Sequence, residues 1–406
     1  MNLPYFISKR INTTDKKSFS STIHKIAIFS IGLGLAIMIL SFLILRGFQS
    51  TVKEKIYSFS SHFIITQYFG ASSFEEPPMN INTAFYNNYE KYGMVDHVQE
   101  YIHKAGLIKT EDEILGIVFK GVGRSYDVDR INEFIIDGRF IEFEDSTYSK
   151  EVMLSKVIAD KLDIWTGDEI IIHFFQDPPR SRKLKISGIY ETNLTEYFDE
   201  KIILGDIDLL RRLNNWNDSI AGGLEIFVKD IEQVDAAEMM LVGALEYNQG
   251  LERVSDKYIQ IFEWLHLIRR QVNIFLVIIL FVVCVNMISI ILILIMERTN
   301  MIGTLKALGA TNHLIRKIFS FSGMSLVLKG LLLGNVLGIG LCYLQDKFKW
   351  IKLDPDEYYM SYVPIGWDLD IIIVLNVLTF TVITLVLFLP TAIISGIRPI
   401  QAIRFD

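Results

Sequence analysis

Polar and apolar positions fall into two regimes along this chain. Three runs contain no Asp, Glu, Lys or Arg: residues 26–45, 271–296 and 371–397, of 20, 26 and 27 residues. A fourth run, 318–345, is interrupted only by Lys329. About 20 apolar residues in a helix cross the hydrocarbon layer of a bilayer, so each run predicts a membrane-spanning helix. The long stretch between the first two runs mixes two other periods. Residues 98–110 and 114–122 read as strands joined by an acidic turn at 111–113, and 168–175 and 182–190 as a second pair, with further strands at 201–204 and 224–229. Helical spacing marks 151–162, 206–213, 231–245 and 259–270, the last running straight into the second span. Pro390 is expected to break the fourth helix near its inner end, since its ring clashes with the preceding turn.

The segment 297–310, ERTNMIGTLKALGA, links spans two and three and is neither strongly apolar nor a plain loop. Ile302, Leu305 and Leu308 recur every third residue as one stripe, with Arg298 and Lys306 off it. Gly309 suits the left-handed position that ends a helix, and Thr311 suits the cap of the next one. A short amphipathic helix of this kind is a handle for a partner protein, and an interfacial helix without a partner gives the same pattern.

Charge sets the orientation. The segments 1–25, 297–317 and 398–406 hold 11 basic and 3 acidic residues, whereas 48–270 holds 24 basic and 38 acidic. The excess of Lys and Arg places both termini and the 297–317 loop in the cytoplasm and the long insert outside. The first run is too long for the core of a cleaved signal and is expected to stay as an anchor. Its Ser30, Gly32 and Gly34 permit close helix approach. Residues 5–11 are expected to form a short interfacial helix. Cys284 and Cys342 both fall within predicted spans and are expected to be buried free thiols, so the insert must be held by its own core.

The chain carries few signatures of chemistry. No phosphate-binding G-x-x-x-x-G-K-[ST], G-x-S-x-G or H-E-x-x-H exists, and the spans contain no Asp or Glu, which argues against a proton-coupled carrier. No catalytic, cofactor-binding or metal-ligating residue is therefore expected, and an enzyme is not. His97, Glu100 and His103 have metal-like spacing, but on a strand the middle residue points away from the other two, and a surface role is expected instead. Three features stay unabsorbed. Lys329 sits near mid-membrane, facing a partner helix or water, or snorkelling to the interface. Arg46, at the outer end of the first run, either snorkels to lipid headgroups or meets a negatively charged group. Gln176 to Ser181, stiffened by Pro178 and Pro179, carries Asp177 and leads into the basic Arg180, Arg182, Lys183 and Lys185; this is a solvated hairpin tip or a docking finger.

One span, a large outer insert and three further spans, with E-R-T-N-M-I-G-T-L-K-A-L-G-A between spans two and three, resembles the ABC-transporter permeases of the FtsX/MacB-like superfamily. The opening Phe6-Ile7-Ser8-Lys9-Arg10, then Leu45-Arg46-Gly47-Phe48-Gln49, and the closing R-P-I-Q-A-I-R-F-D at 398–406 are similar to its lipoprotein-releasing LolC/LolE type. Arg46 departs from the small polar residue expected of that type. The resemblance implies an α-helical membrane protein with four transmembrane helices in a 1+3 layout and a large α+β extracytoplasmic domain inserted between helices one and two. Its expected segments are a cytoplasmic 1–25, helix one 26–47, a periplasmic domain 48–270, helix two 271–296, a coupling-helix loop 297–317, helix three 318–345, a periplasmic loop 346–370, helix four 371–392 and a cytoplasmic tail 393–406. It further implies a bacterial inner-membrane subunit that pairs with the same or a sister permease chain and with separate ATPase subunits, which bind the ATP; this chain itself takes no cofactor and no nucleic acid. Cargo would be lipoproteins drawn from membrane lipid and passed to a periplasmic carrier. Glu297, Arg298, Met301, Ile302, Leu305, Lys306, Leu308 and Gly309 would couple to the ATPase. Asp177, Pro178, Pro179, Arg180, Arg182 and Lys183 would form the carrier-docking hairpin, and Arg46 and Phe48 would stand at substrate access. A division-type or efflux-type permease and a membrane receptor or scaffold are the competing expectations.

Overall fold

The computed structural model describes residues 4, 6–7, 19–68, 75–110, 113–144 and 147–391. The expected helix at 5–11 lies mostly outside these residues, and the turn at 111–112 and the closing segment 398–406 lie wholly outside. The chain forms two compact units: Met1–Ser50 with Trp264–Lys352 and Tyr362–Asp406, and Thr51–Glu263 with Leu353–Ser361.

Four helices in the described residues are long and apolar enough to cross a membrane: Thr22–Ser60, Ile259–Glu297, Asn312–Phe348 and Leu369–Thr391. The first three run well beyond the charge-free stretches that predict them. The last ends its regular part at Val386 and continues as Phe388–Thr391. Pro390 causes this break, because it has no N–H for the Val386 carbonyl and its ring presses on that turn. Small residues bring helices one and three together. A Cβ on Gly330 would come within 2.7 Å of Ile31, one on Gly334 within 2.8 Å of the Gly32 carbonyl oxygen, and one on Gly338 within 3.1 Å of Ala36. Gly34 meets Val283 of helix two, and Ser30 accepts a hydrogen bond from Asn286 at 3.0 Å. Between helices three and four, Asn335 and Asn376 exchange amide hydrogen bonds of 2.7 and 2.9 Å. Packing and interhelical hydrogen bonds are what hold helices in lipid, where burial of apolar surface gives no drive. Cys284 and Cys342 are buried and free.

Among the described residues the second unit is built on twelve strands: β1 Phe63–Gln67, β2 Met79–Asn80, β3 Val95–Lys109, β4 Ile114–Val122, β5 Ile135–Gly138, β6 Glu151–Ser155, β7 Glu169–Phe174, β8 Arg180–Tyr190, β9 Ile202–Asp206, β10 Ile220–Ala221, β11 Gly223–Val228 and β12 Gln249–Arg253. Ten of them form one sheet in the order β12-β1-β11-β3-β4-β9-β6-β8-β5, with β7 joining β3 to β8. That last pairing closes β3, β4, β9, β6, β8 and β7 into a six-stranded ring. The long β3 serves both halves: Val95–Tyr101 pairs with β11, and Gly106–Ile108 pairs with β7. Ile102, Ile117, Phe119, Ile172, Phe174 and Leu184 fill the core between them.

One expected helix is corrected. Residues 151–162 divide into the strand Glu151–Ser155 and the helix Lys156–Leu162, which Ser155 caps by accepting from the Ile158 N–H at 3.1 Å. Val152, Met153 and Leu154 are all buried, because β6 lies between β9 and β8. A strand buried on both faces shows no alternation and cannot be told from a helix by period.

Candidate functional site

The linking segment folds as the helix Thr299–Ala307. Gly309 has φ +91°, its N–H bonds the Lys306 carbonyl at 3.0 Å, and the Ala310 N–H bonds that of Leu305 at 2.9 Å. This pair of bonds is a Schellman ending, which glycine favours because it has no Cβ to clash. The Thr311 hydroxyl caps the next helix from the Leu314 N–H at 3.3 Å. The apolar stripe divides. Ile302 is fully buried with Ile291, Leu294, Ile315 and Phe319, and Met301 and Leu305 pack against that core. Leu308, just past the last helical residue, is 80% exposed. Arg298 stands at the helix's N-cap, Glu297 ends helix two, and burial lowers the Lys306 ammonium below its usual range. The segment thus has a buried root and an exposed, apolar-tipped end.

The hairpin β7–β8 is antiparallel, with His173 opposite Ser181 and Phe174 opposite Arg180 as its last rungs. Its tip holds exposed Asp177, Pro178 and Pro179, with the Asp177–Pro178 bond cis, beside exposed Phe175. The basic residues do not form one patch. Successive residues of a strand point to opposite faces, so Arg180 and Arg182 share one face and Lys183 and Lys185 the other. Arg180 donates to the Leu213 carbonyl at 3.4 Å, and Lys183 pairs with Glu169.

At one end of the membrane unit, Arg46 lines a cleft of about 440 Å³ with Gln49, Arg269, Asn273 and Asp370. Below them the walls are apolar: Phe42, Leu276, Val374 and Leu378. Arg46 is half exposed, with its Nε 3.7 Å from Asp368. Gln49 is buried; its amide accepts from Arg269 at 2.9 Å and donates to the Leu265 carbonyl at 2.9 Å. Gly47 permits the close approach of residues 364–366, since a Cβ there would meet the Pro364 carbonyl oxygen at 2.7 Å. Phe48 does not line the cleft; it is buried edge-on against Trp264.

His97, Glu100 and His103 share no site. His97 contacts the Ser125 carbonyl at 2.6 Å, Glu100 accepts from Tyr86 and Ser125, and His103 pairs with Glu76 at 2.7 Å. The expected surface role is corrected for Glu100, which is buried. Burial works to raise the Glu76 carboxyl, yet the adjoining His103 holds it below the usual range. Sequence reasoning also missed a buried ion pair. Lys120 meets Glu225 at 2.6 Å, with both side chains 3% exposed, and donates to the Phe59 carbonyl at 3.1 Å. The rings of Phe59, Tyr101 and Tyr126 surround its ammonium, and Glu225 accepts from Gln99 at 2.8 Å. Lys120 and Glu225 sit 105 positions apart, so no local pattern announces the pair. Lys329 is exposed on helix three, with no ion-pair partner among the described residues.

A profile of the MacB-like periplasmic core domain matches residues 26–243, more than half of the chain. A profile of the FtsX-like permease C-terminal region matches residues 273–400. The chain belongs to the FtsX/MacB permease family. Similar relatives extend over its length. The permease is 22% identical over 397 residues to the lipoprotein-releasing system transmembrane protein LolE of Haemophilus influenzae, covering 92% of this chain and 93% of that one. To the corresponding LolC proteins of Xylella fastidiosa (Temecula1) and Neisseria meningitidis it is 20% and 21% identical, covering 100% of this chain and 98% of each. Among solved structures, the periplasmic region of MacB from Actinobacillus actinomycetemcomitans matches with a TM-score of 0.34 and 15% identity, covering 50% of this chain and 92% of that one.

Proposed function

We propose that this permease is the membrane subunit of an ABC transporter that extracts lipoproteins from the bacterial inner membrane and passes them to a periplasmic carrier. The carrying observation is the similarity, over nearly the whole chain, to proteins named for lipoprotein release. Under this reading the helices have a 1+3 layout, the α+β unit is periplasmic and both termini are cytoplasmic. The permease pairs with a second permease chain, and separate ATPase subunits bind and hydrolyse ATP. The helix Thr299–Ala307 docks in a groove of the ATPase, with Leu308 as the apolar contact and Arg298 and Lys306 beside it. A ligand shifts a two-state equilibrium only through contacts that differ between the states, and this helix supplies that difference. The stiff tip Asp177–Pro178–Pro179, with Arg180, Arg182 and Lys183, is the docking element for the carrier. Acyl chains need a lateral apolar opening between helices rather than a polar pore, and the spans, which are apolar and lack acids, suit one.

Affinity purification of the tagged chain in mild detergent tests the reading. Recovery of an ABC ATPase together with lipoproteins, and of a carrier in a hairpin-dependent way, is the expected result. An ATPase recovered with an outer-membrane duct or a cell-wall hydrolase would move the function to efflux or division. Absence of any ATPase would overturn the transporter reading.

A further inference from the structure

Three helices of the membrane unit change from apolar to charged at one level. The charge-free run of helix one stops at Arg46, that of helix two begins after Arg269 and Arg270, and that of helix four begins after Asp370. Packing brings these boundaries to a single cleft of about 440 Å³, with Arg46, Arg269 and Asp370 at its mouth and apolar walls below. A boundary repeated on three helices marks the headgroup level of a bilayer. From Asp370 to Leu378 the apolar wall of helix four descends about 12 Å at 1.5 Å per residue, the length of a good part of an acyl chain.

The two guanidinium groups are held differently. Arg269 is fixed through buried Gln49, which is itself anchored to the Leu265 carbonyl. Arg46 lies 3.7 Å from Asp368, beyond the reach of a charge-assisted hydrogen bond, and the other oxygen of that carboxylate caps helix four at the N–H groups of Asp370 and Ile371. Among the described residues Arg46 has no other partner, so its planar fork remains available for an anion.

We propose that this cleft binds a membrane glycerophospholipid. Its phosphodiester lies between Arg46 and Arg269, one acyl chain lies along Leu276, Val374 and Leu378, and Asp370 accepts from a hydroxyl or ammonium of the headgroup. Arginine suits this task, since its fork matches phosphate oxygens two at a time. The proposal rests on the membrane placement of these helices and not on a lipoprotein cargo. A protein-linked diacylglycerol has acyl chains and no phosphate, and the test separates the two.

The full-length chain in mild detergent is titrated by native mass spectrometry with phosphatidylglycerol, phosphatidylethanolamine and diacylglycerol of identical chains. Both phospholipids should be retained at least about tenfold more tightly than diacylglycerol, as one lost charge-assisted contact implies. The double variant R46Q/R269Q should remove that preference, and R46K should keep part of it. Val374→Trp, at a lipid-facing position that tolerates bulk, leaves both arginines in place and should also weaken phospholipid retention by filling the cleft. Equal retention of diacylglycerol, or undiminished phospholipid retention by both R46Q/R269Q and Val374→Trp, overturns the proposal while leaving the lipoprotein reading intact.

Discussion

Leu308→Glu separates the proposed docking from folding at the helix that links spans two and three. Leu308 is 80% exposed and follows the last helical residue, whereas Ile302, two turns earlier, is fully buried. Removing an exposed side chain leaves stability within about 0.5 kcal/mol, and an acid at a helix C-terminus adds a cost of about the same size. If Leu308 enters a partner groove, its contact is worth about 1.5–2.5 kcal/mol of apolar burial, and a carboxylate in its place adds a desolvation cost. Loss of about 2 kcal/mol or more weakens the partner by at least about 30-fold. The assay has two arms: ATPase activity and co-purification of the complex, and thermal unfolding of the permease alone. Leu308→Glu should abolish stimulated hydrolysis with the unfolding temperature almost unchanged, and Leu308→Ala should lie between it and the native chain. Ile302→Glu, by burying a charge, should lower the unfolding temperature itself. Full ATPase stimulation in Leu308→Glu, or destabilisation equal to that of Ile302→Glu, would refute the reasoning.

Two further outcomes follow from the α+β unit. Lys120→Met strands Glu225 in the core and should cost about 3–5 kcal/mol in thermal unfolding, while K120M/E225L should recover most of that loss; an undiminished loss in the double variant would show that the pair is not the cause. His62 is buried, its Nδ1 accepts from the Val228 N–H at 3.3 Å and its ring stacks on Tyr57, and burial lowers its pKa to about 4. The folded value lies below the ordinary 6.5, so the unfolded chain takes up the proton first; stability is full above pH 6.5 and falls by about 3 kcal/mol as pH drops to 4. His62→Phe keeps the stacking and removes the titration, so it should flatten the pH dependence of unfolding across that window; an unchanged slope would exclude His62 as its source.

The four long helices were legible because lipid admits no compromise: a charge-free run of 20 or more residues, or in helix three one broken by Lys329 alone, has few other uses. The strands at 95–122 and 169–190 were legible because each has a polar turn and flanking alternation. Residues 151–155 were not, since Val152, Met153 and Leu154 are buried on both faces and carry no period. The stripe Ile302–Leu305–Leu308 has correct spacing, yet the helix stops at Ala307, and the stripe's last member lies where the chain has already turned under Gly309. The basic residues after Pro179 look clustered in sequence because adjacency along a strand is not adjacency on a face. The cleft was half legible. Each charged boundary is written in the sequence, but that Arg46, Arg269 and Asp370 meet depends on packing between helices more than 100 residues apart.

The same packing explains how a pull on one exposed residue is transmitted in the proposed mechanism. Ile302 shares a core with Ile291, Leu294 and Ile295 of helix two and with Ile315 and Phe319 of helix three. All of these side chains are buried, so the root of the linking helix is packed on both helices at once. Close-packed interiors change by switching between discrete arrangements, not by yielding gradually. In the proposed mechanism a displacement of this segment would act on the adjoining ends of helices two and three, which share that core. Helix three is held on several sides: Gly330, Gly334 and Gly338 lie against helix one, Gly323 lies against Leu387 and Ile291, and Asn335 ties it to helix four. Helix two meets helix one at Gly34–Val283 and Ser30–Asn286, while Phe275, Ile278, Phe281, Val282 and Val285 lie exposed along it. Helix two is also tied to helix one through Gln49, which bonds both Leu265 and Arg269, so in the proposed mechanism a shift of helix two would carry Arg269 at the mouth of the cleft with it.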